Sequence, residues 1–163
     1  MNSILIAPTT FAEHSKVPLE VLNRNNYKYI VNPKGRKLEN NEIIKYANNV
    51  AGIIAGTESY NENVLNSLPD LKVISRLGVG LDNIDLKIAN NLGIRIFTTN
   101  TSPGSAVVEL ALGLLINVAR NISTSHQLLR KNVWDKKMGV LLKGKTLGII
   151  GLGNIGKELV KIS

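Results

Sequence analysis

Thr146-Leu147-Gly148-Ile149-Ile150-Gly151-Leu152-Gly153-Asn154-Ile155-Gly156 is a short apolar run followed at once by three glycines in the spacing G-x-G-x-x-G. An apolar run of this length reads as a buried strand, and Ile155 to Ile162 reads as the helix after it. Each glycine then has a physical task. Gly151 makes the tight turn out of the strand, Gly153 lets the backbone approach a pyrophosphate, and Gly156 lets helix and strand pack closely. The stretch predicts the opening of a Rossmann dinucleotide-binding unit. Its bland alternative is a glycine-bearing strand-to-helix turn with no ligand. The acidic residue that completes such a fingerprint falls about 20 positions further on, and only seven residues follow Gly156. The sequence is therefore expected to hold the start of this unit and not the whole of it.

Upstream, short β-rich runs alternate with helical stretches. The runs are Ile4–Ala7, Tyr27–Val31, Ala51–Ala55, Lys72–Ser75 and Ile94–Phe97, and helical spacing of apolar residues recurs in 42–47, 63–68 and 86–90. Parallel neighbours need crossover connections, so this alternation predicts an α/β fold with a flavodoxin-like, doubly wound parallel sheet. Residues 1–100 are expected to form that domain, and residues 101–163 an interdomain helix followed by the incomplete nucleotide domain.

Composition narrows the function classes. With 163 residues and 44% apolar content, one compact domain can bury a good core while a second can only be partial. There is no cysteine, so no disulfide framework and no thiolate nucleophile. The first eight residues lack the basic and long apolar regions of a signal peptide, and a cytoplasmic protein with no membrane partner is expected. The net charge of +8 is confined to one end: residues 1–119 carry 11 basic and 10 acidic groups, residues 120–163 carry 9 and 2. With 4% aromatic residues and no reading motif, this predicts a solvated basic face and no nucleic-acid partner.

Between the two domains lies Ser105 to Arg120, where polar residues and a glycine recur at 109, 113, 117 and 120. That single stripe predicts a helix buried on all its other sides, too short to span a membrane. His126–Arg130 and Trp134 are expected to form a second, more amphipathic helix before the Gly144-Lys145 turn.

Four blocks together resemble the D-2-hydroxyacid dehydrogenase family, and within it the phosphoglycerate dehydrogenase subgroup. They are Ser75-Arg76-Leu77-Gly78-Val79-Gly80-Leu81-Asp82-Asn83-Ile84-Asp85, then Gly93-Ile94-Arg95-Ile96, then Val108-Glu109-Leu110-Ala111-Leu112-Gly113-Leu114, and finally 144–156. The order matches across essentially the whole chain. The resemblance implies a substrate domain joined by the long helix to an NAD domain, with hydride passing between NAD and C2 of a small anionic 2-hydroxy or 2-oxo acid. The implied substrate is 3-phosphoglycerate, in serine biosynthesis, and the implied assembly is a homodimer. The loop Gly78-Val79-Gly80 is implied to hold the substrate carboxylate through backbone N–H groups, with Arg76 nearby and Val79 also against the cofactor. Gly151, Gly153, Asn154, Ile155 and Gly156 are implied to meet the pyrophosphate at a helix N-terminus, where the helix dipole favours anions.

Two departures qualify this picture. The family's arginine, carboxylate and histidine come from the later part of the nucleotide domain, so no catalytic residue is assigned here. Arg76, Glu109 and His126 are not substitutes, and His126 reads as a surface or capping residue. Second, Ala55-Gly56-Thr57-Glu58 stands where some phosphoglycerate dehydrogenases carry an arginine against the substrate phosphate, leaving the hydroxy acid open to glycerate or glyoxylate types. A non-catalytic, NAD-sensing interaction module of the same family is the alternative function. A receiver-like domain shares the alternation but needs acidic residues at the strand ends, which Ile6-Ala7-Pro8 and Ile53-Ile54-Ala55 lack.

Overall fold

The computed structural model describes residues 3–99 and 104–163. The chain divides into two compact units, Met1–Thr101 and Ser102–Ser163. The expected boundary between residues 100 and 101 lies outside the described residues.

The first unit holds five strands, β1 (Ser3–Ile6), β2 (Lys28–Val31), β3 (Gly52–Ala55), β4 (Val73–Arg76) and β5 (Arg95–Thr98). They pair in the order β2-β1-β3-β4-β5, every pairing parallel. This is the doubly wound arrangement that the alternation predicts, and every expected strand forms within a residue or two of its place. Leu5, Ile53, Ile74 and Ile96 stand abreast in register on one face. The first three are fully buried, and burying such side chains contributes about 1.5–3 kcal/mol each. Ile43, Val64, Leu65 and Ala89 cover them from helices.

Those helices are short and held by their ends. Helix α2 (Asn40–Tyr46) begins with a capping box in which Glu39 and Glu42 satisfy each other's backbone N–H groups. In α3 (Glu62–Asn66) the Asn61 side chain accepts from the Val64 N–H at 3.1 Å, and in α4 (Leu86–Asn91) Asp85 accepts from Ile88 at 3.0 Å. A helix with no counterpart in the sequence reading, α1 (Val17–Arg24), buries no residue and has Pro18 in its first turn.

The second unit contains α5 (Gly104–Arg120), α6 (Ile122–Arg130) and α7 (Asn154–Ile162). Three expectations are corrected here. The 146–150 segment forms no strand, because a β-ladder needs a neighbouring strand and none is present in this unit among the described residues. Helix α5 is not buried on three sides: of its residues only Gly104 and Val108 are buried, while Leu110 is 62% and Val118 76% exposed. The pattern reports which faces are apolar, whereas burial needs partners, and within this unit α5 packs on α6, on α7 and, at its end, on the Gly139–Val140 segment. Trp134 lies past the end of α6 and is exposed. No single helix among the described residues is long and apolar enough to cross a membrane.

Candidate functional site

In the first unit the chain leaves β1 toward β2 on one side and returns to β3 on the other, so the ends of β1 and β3 bracket the point where strand order reverses. Open parallel sheets bind ligands there, beyond the carboxyl ends of the strands. A hollow of about 320 Å³ occupies this position, lined by Thr9 and Thr10 after β1, Thr57 and Glu58 after β3, Arg76 at the end of β4, and Lys37. Asn32 is, with Glu58, a buried polar residue among the described residues. Its amide donates to the carbonyls of Ala7 (2.7 Å) and Arg36 (2.8 Å), and its oxygen accepts from the Lys34 N–H. That turn presents Lys37 to the hollow.

Glu58 is 3% exposed, and its Oε2 accepts from the Gly56 N–H at 2.7 Å. Asn83 Nδ2 ties the same loop by donating to the carbonyls of Gly56 (3.1 Å) and Glu58 (2.6 Å), while the Asn83 carbonyl accepts from the Tyr60 N–H. Tyr60 is fully buried, and its hydroxyl lies near the Glu58 carboxylate without forming a well-aligned hydrogen bond. Burial pushes the Tyr60 phenol well above its ordinary value; the Glu58 carboxylate pushes the same way and Arg76 opposes both.

The β4 exit carries the loop that the sequence singles out. Gly78 has φ +145°, a conformation that side chains rarely adopt, and the Arg76 Nη1 donates to the Leu77 carbonyl beneath it. The Gly78 N–H is taken by the Arg76 carbonyl, and the Gly78 carbonyl accepts from Thr99. The next two N–H groups, of Val79 and Gly80, have no acceptor among the described residues. Val79 itself is 51% exposed. Two successive N–H groups without an acceptor among the described residues are the kind of backbone donors that can hold an anion. The structure thus brings Arg76, Gly78, Val79 and Gly80 together at one strand end.

In the second unit Gly153 precedes the first turn of α7, and the N–H groups of Asn154 and Ile155 likewise have no acceptor among the described residues. Gly151 turns with φ +94°, and a Cβ at Gly156 would collide with its carbonyl oxygen. Only glycine permits that close return of the loop over the helix; the spacing predicts packing of helix against strand, and no strand forms at 146–150. Ser105 Oγ and Glu158 Oε1, 2.6 Å apart, join α5 to α7. Glu109 and His126 are exposed. No group of three or more metal-ligating side chains occurs among the described residues.

The sequence reading places Ala55–Glu58 where some phosphoglycerate dehydrogenases meet a substrate phosphate and Asn83 in a family-like block, but gives no role to Glu58, Asn83, Lys37 or Asn32; only the sheet order shows that Lys37 and Glu58 line one hollow.

These features define an open parallel α/β protein with two successive backbone N–H groups lacking an acceptor, among the described residues, at a strand exit and a glycine-rich helix entry in its second unit. The family model for D-isomer specific 2-hydroxyacid dehydrogenase, catalytic domain, matches residues 9–157. The chain belongs to that family. It is 38% identical over 127 residues to a hydroxypyruvate reductase of Thermotoga maritima, covering 76% of this chain and 42% of the relative. It is 42% identical over 122 residues to a D-3-phosphoglycerate dehydrogenase of Methanocaldococcus jannaschii, covering 74% and 23%. Among solved structures, NAD+-bound 3-phosphoglycerate dehydrogenase of Entamoeba histolytica superposes with a TM-score of 0.75 at 27% identity, covering 99% of this chain and 50% of that one. The chain thus spans less than half the length of these curated relatives.

Proposed function

We propose that the first unit binds the substrate, and the second opens the NAD site, of a dehydrogenase that moves a hydride between NAD and C2 of a D-2-hydroxy acid. The observation that carries this reading is the pair of N–H groups of Val79 and Gly80 after Gly78, which have no acceptor among the described residues. They suit a carboxylate, which accepts on two oxygens, and Arg76 stands at the same strand end with its Nε lacking a partner. The free first-turn N–H groups of α7 suit a pyrophosphate in the same way. When bound, NAD supplies the hydride acceptor. This chain's own residues orient the acid and hold its charge, and the proton-transfer pair of the reaction is not among them. NAD as cofactor is supported by the bound NAD+ of the Entamoeba relative.

Two substrate readings follow from the named relatives, 3-phosphoglycerate and the unphosphorylated hydroxypyruvate or glycerate pair. A homodimer is proposed with them, because the exposed apolar row Leu110, Leu114 and Val118 on α5 needs cover. The reading is tested by titrating the isotope-labelled chain with D-glycerate and following backbone amides. Saturable shifts centred on Val79 and Gly80 are expected, with dissociation constants on the order of 1 mM. Shifts scattered over the basic residues 120–163, with none at 78–80, would refute it.

A further inference from the structure

The loop that carries the Val79 and Gly80 amides is anchored on both sides. At its start the Leu77 N–H donates to the Ala55 carbonyl at 2.8 Å, and the Gly78 carbonyl accepts from the Thr99 N–H at 3.2 Å. At its end the anchor is Asn83. Its side-chain amide donates to two carbonyls of the loop after β3, those of Gly56 at 3.1 Å and Glu58 at 2.6 Å, while its own carbonyl accepts from the Tyr60 N–H at 2.8 Å. Two residues on, the Asp85 N–H donates to the Tyr60 carbonyl at 3.0 Å, and Tyr60 and Ile84, both buried, pair as a parallel bridge. The turn that Asn83 grips is closed from within, because Glu58 Oε2 accepts from the Gly56 N–H at 2.7 Å. Four residues, Val79 to Asp82, lie between Gly78 and Asn83.

We infer, resting on the hydroxy-acid reading above, that Asn83 is a positioning residue: by clamping the loop after β4 to the loop after β3, it holds the Val79 and Gly80 N–H groups in the orientation that receives a carboxylate. The side-chain chemistry suits this task. An amide nitrogen carries two hydrogens, one for each of the two carbonyls, where a carboxylate of the same shape would set oxygens against oxygens. Asn83 itself touches no substrate and acts through the backbone. A span of four residues between fixed ends samples few conformations, whereas loosening one end lets the two N–H directions diverge, and their ordering must then be supplied on binding. The apparent affinity falls in proportion to the fraction of molecules in which both point the right way.

The test compares wild type, Asn83→Ala and Ile43→Val. The first variant removes both donors and adds no charge; the second loosens the core at α2, where Ile43 is fully buried. D-glycerate is titrated into each isotope-labelled chain and followed at the Val79 and Gly80 amides, and relaxation dispersion is recorded without ligand. Asn83→Ala is expected to raise the dissociation constant about fivefold, equivalent to a competent fraction of about one fifth, with exchange broadening appearing at Val79 to Asp82. Ile43→Val is expected to lower the unfolding midpoint while keeping wild-type affinity and showing no such broadening, which separates positioning from a general loss of stability. Unchanged affinity in a folded Asn83→Ala chain, or an equal loss in both variants, would overturn the inference while leaving the hydroxy-acid reading intact. If Asn83→Ala does not fold, wild type decides: backbone order parameters of about 0.85 are expected at Val79 to Asp82, and values below about 0.6 would overturn the inference. Absence of saturable shifts at Val79 and Gly80 in wild type would overturn both.

Discussion

Replacing Gly78 by alanine separates backbone strain from ordinary loop change. At φ +145° a Cβ is strained whatever the space around it, and here it would also stand 2.7 Å from Nη1 and 3.0 Å from Cζ of Arg76. Holding a non-glycine residue in such a conformation costs about 1–3 kcal/mol. The guanidinium must also leave the Leu77 carbonyl, so the Val79 and Gly80 amides and Arg76 shift together. Gly80 is the internal control: its φ is not in the left-handed region, and a Cβ there would meet only Asp82 Oδ2 at 3.5 Å. Thermal unfolding followed by far-UV circular dichroism is the assay. For a domain of 60–100 residues each kcal/mol lowers the midpoint by about 4–8 °C. Gly78→Ala is expected to lose at least 4 °C and the D-glycerate-induced shifts at Val79 and Gly80. Gly80→Ala is expected to stay within about 0.5 kcal/mol of wild type. Equal midpoints for the two variants, or retained ligand shifts in Gly78→Ala, would refute the reasoning.

Further outcomes follow from other parts of the molecule. The bidentate Arg36 guanidinium, at 2.8 Å to each oxygen, and the Glu39 N–H hold the Glu42 carboxyl down at about 2 instead of 4.5. Because the folded value is the lower one, this stabilisation is full above about pH 4.5 and is lost as pH falls toward 2; the midpoint difference between wild type and Glu42→Gln should shrink through that window, and parallel curves would refute it. The isolated chain is expected to form no NADH from D-glycerate or 3-phosphoglycerate, since hydride transfer needs a proton partner that the proposal places outside these residues; absorbance growth at 340 nm above the enzyme-free rate would contradict this. Light scattering is expected to give twice the chain mass, with slow amide exchange along Leu110, Leu114 and Val118; a strict monomer with slow exchange there would show that the row needs no second copy.

Much of the first unit was legible in the sequence because strands of a parallel sheet, one face fully buried and the other partly covered, read as short apolar runs bounded by glycine, proline or polar residues. Ile4–Ala7, Ala51–Ala55 and Lys72–Ser75 are such runs, and each falls on a strand. The short helices α3 and α4 were legible for a different reason, since their apolar residues repeat at helical spacing near Asn61 and Asp85, side chains that cap the first turn. Helix α1 was missed because its amphipathic run is brief and buries nothing.

Sequence by itself determined the alternation, the parallel sheet, the position of the Gly78–Gly80 loop and the glycine spacing of 151–156, because each depends on local conformational freedom or on periodicity along the chain. Tertiary structure alone decided what those elements face. It buried Glu58, placed Lys37 and Arg76 on the same hollow, left the Val79 and Gly80 amides without an acceptor among the described residues, and exposed the apolar row of α5 that its pattern marks for burial. The physical reason is the same in each case: burial, charge balance and unpaired donors are properties of neighbours brought together by the fold, and residues 37, 58 and 76 become neighbours only when β1, β3 and β4 lie side by side.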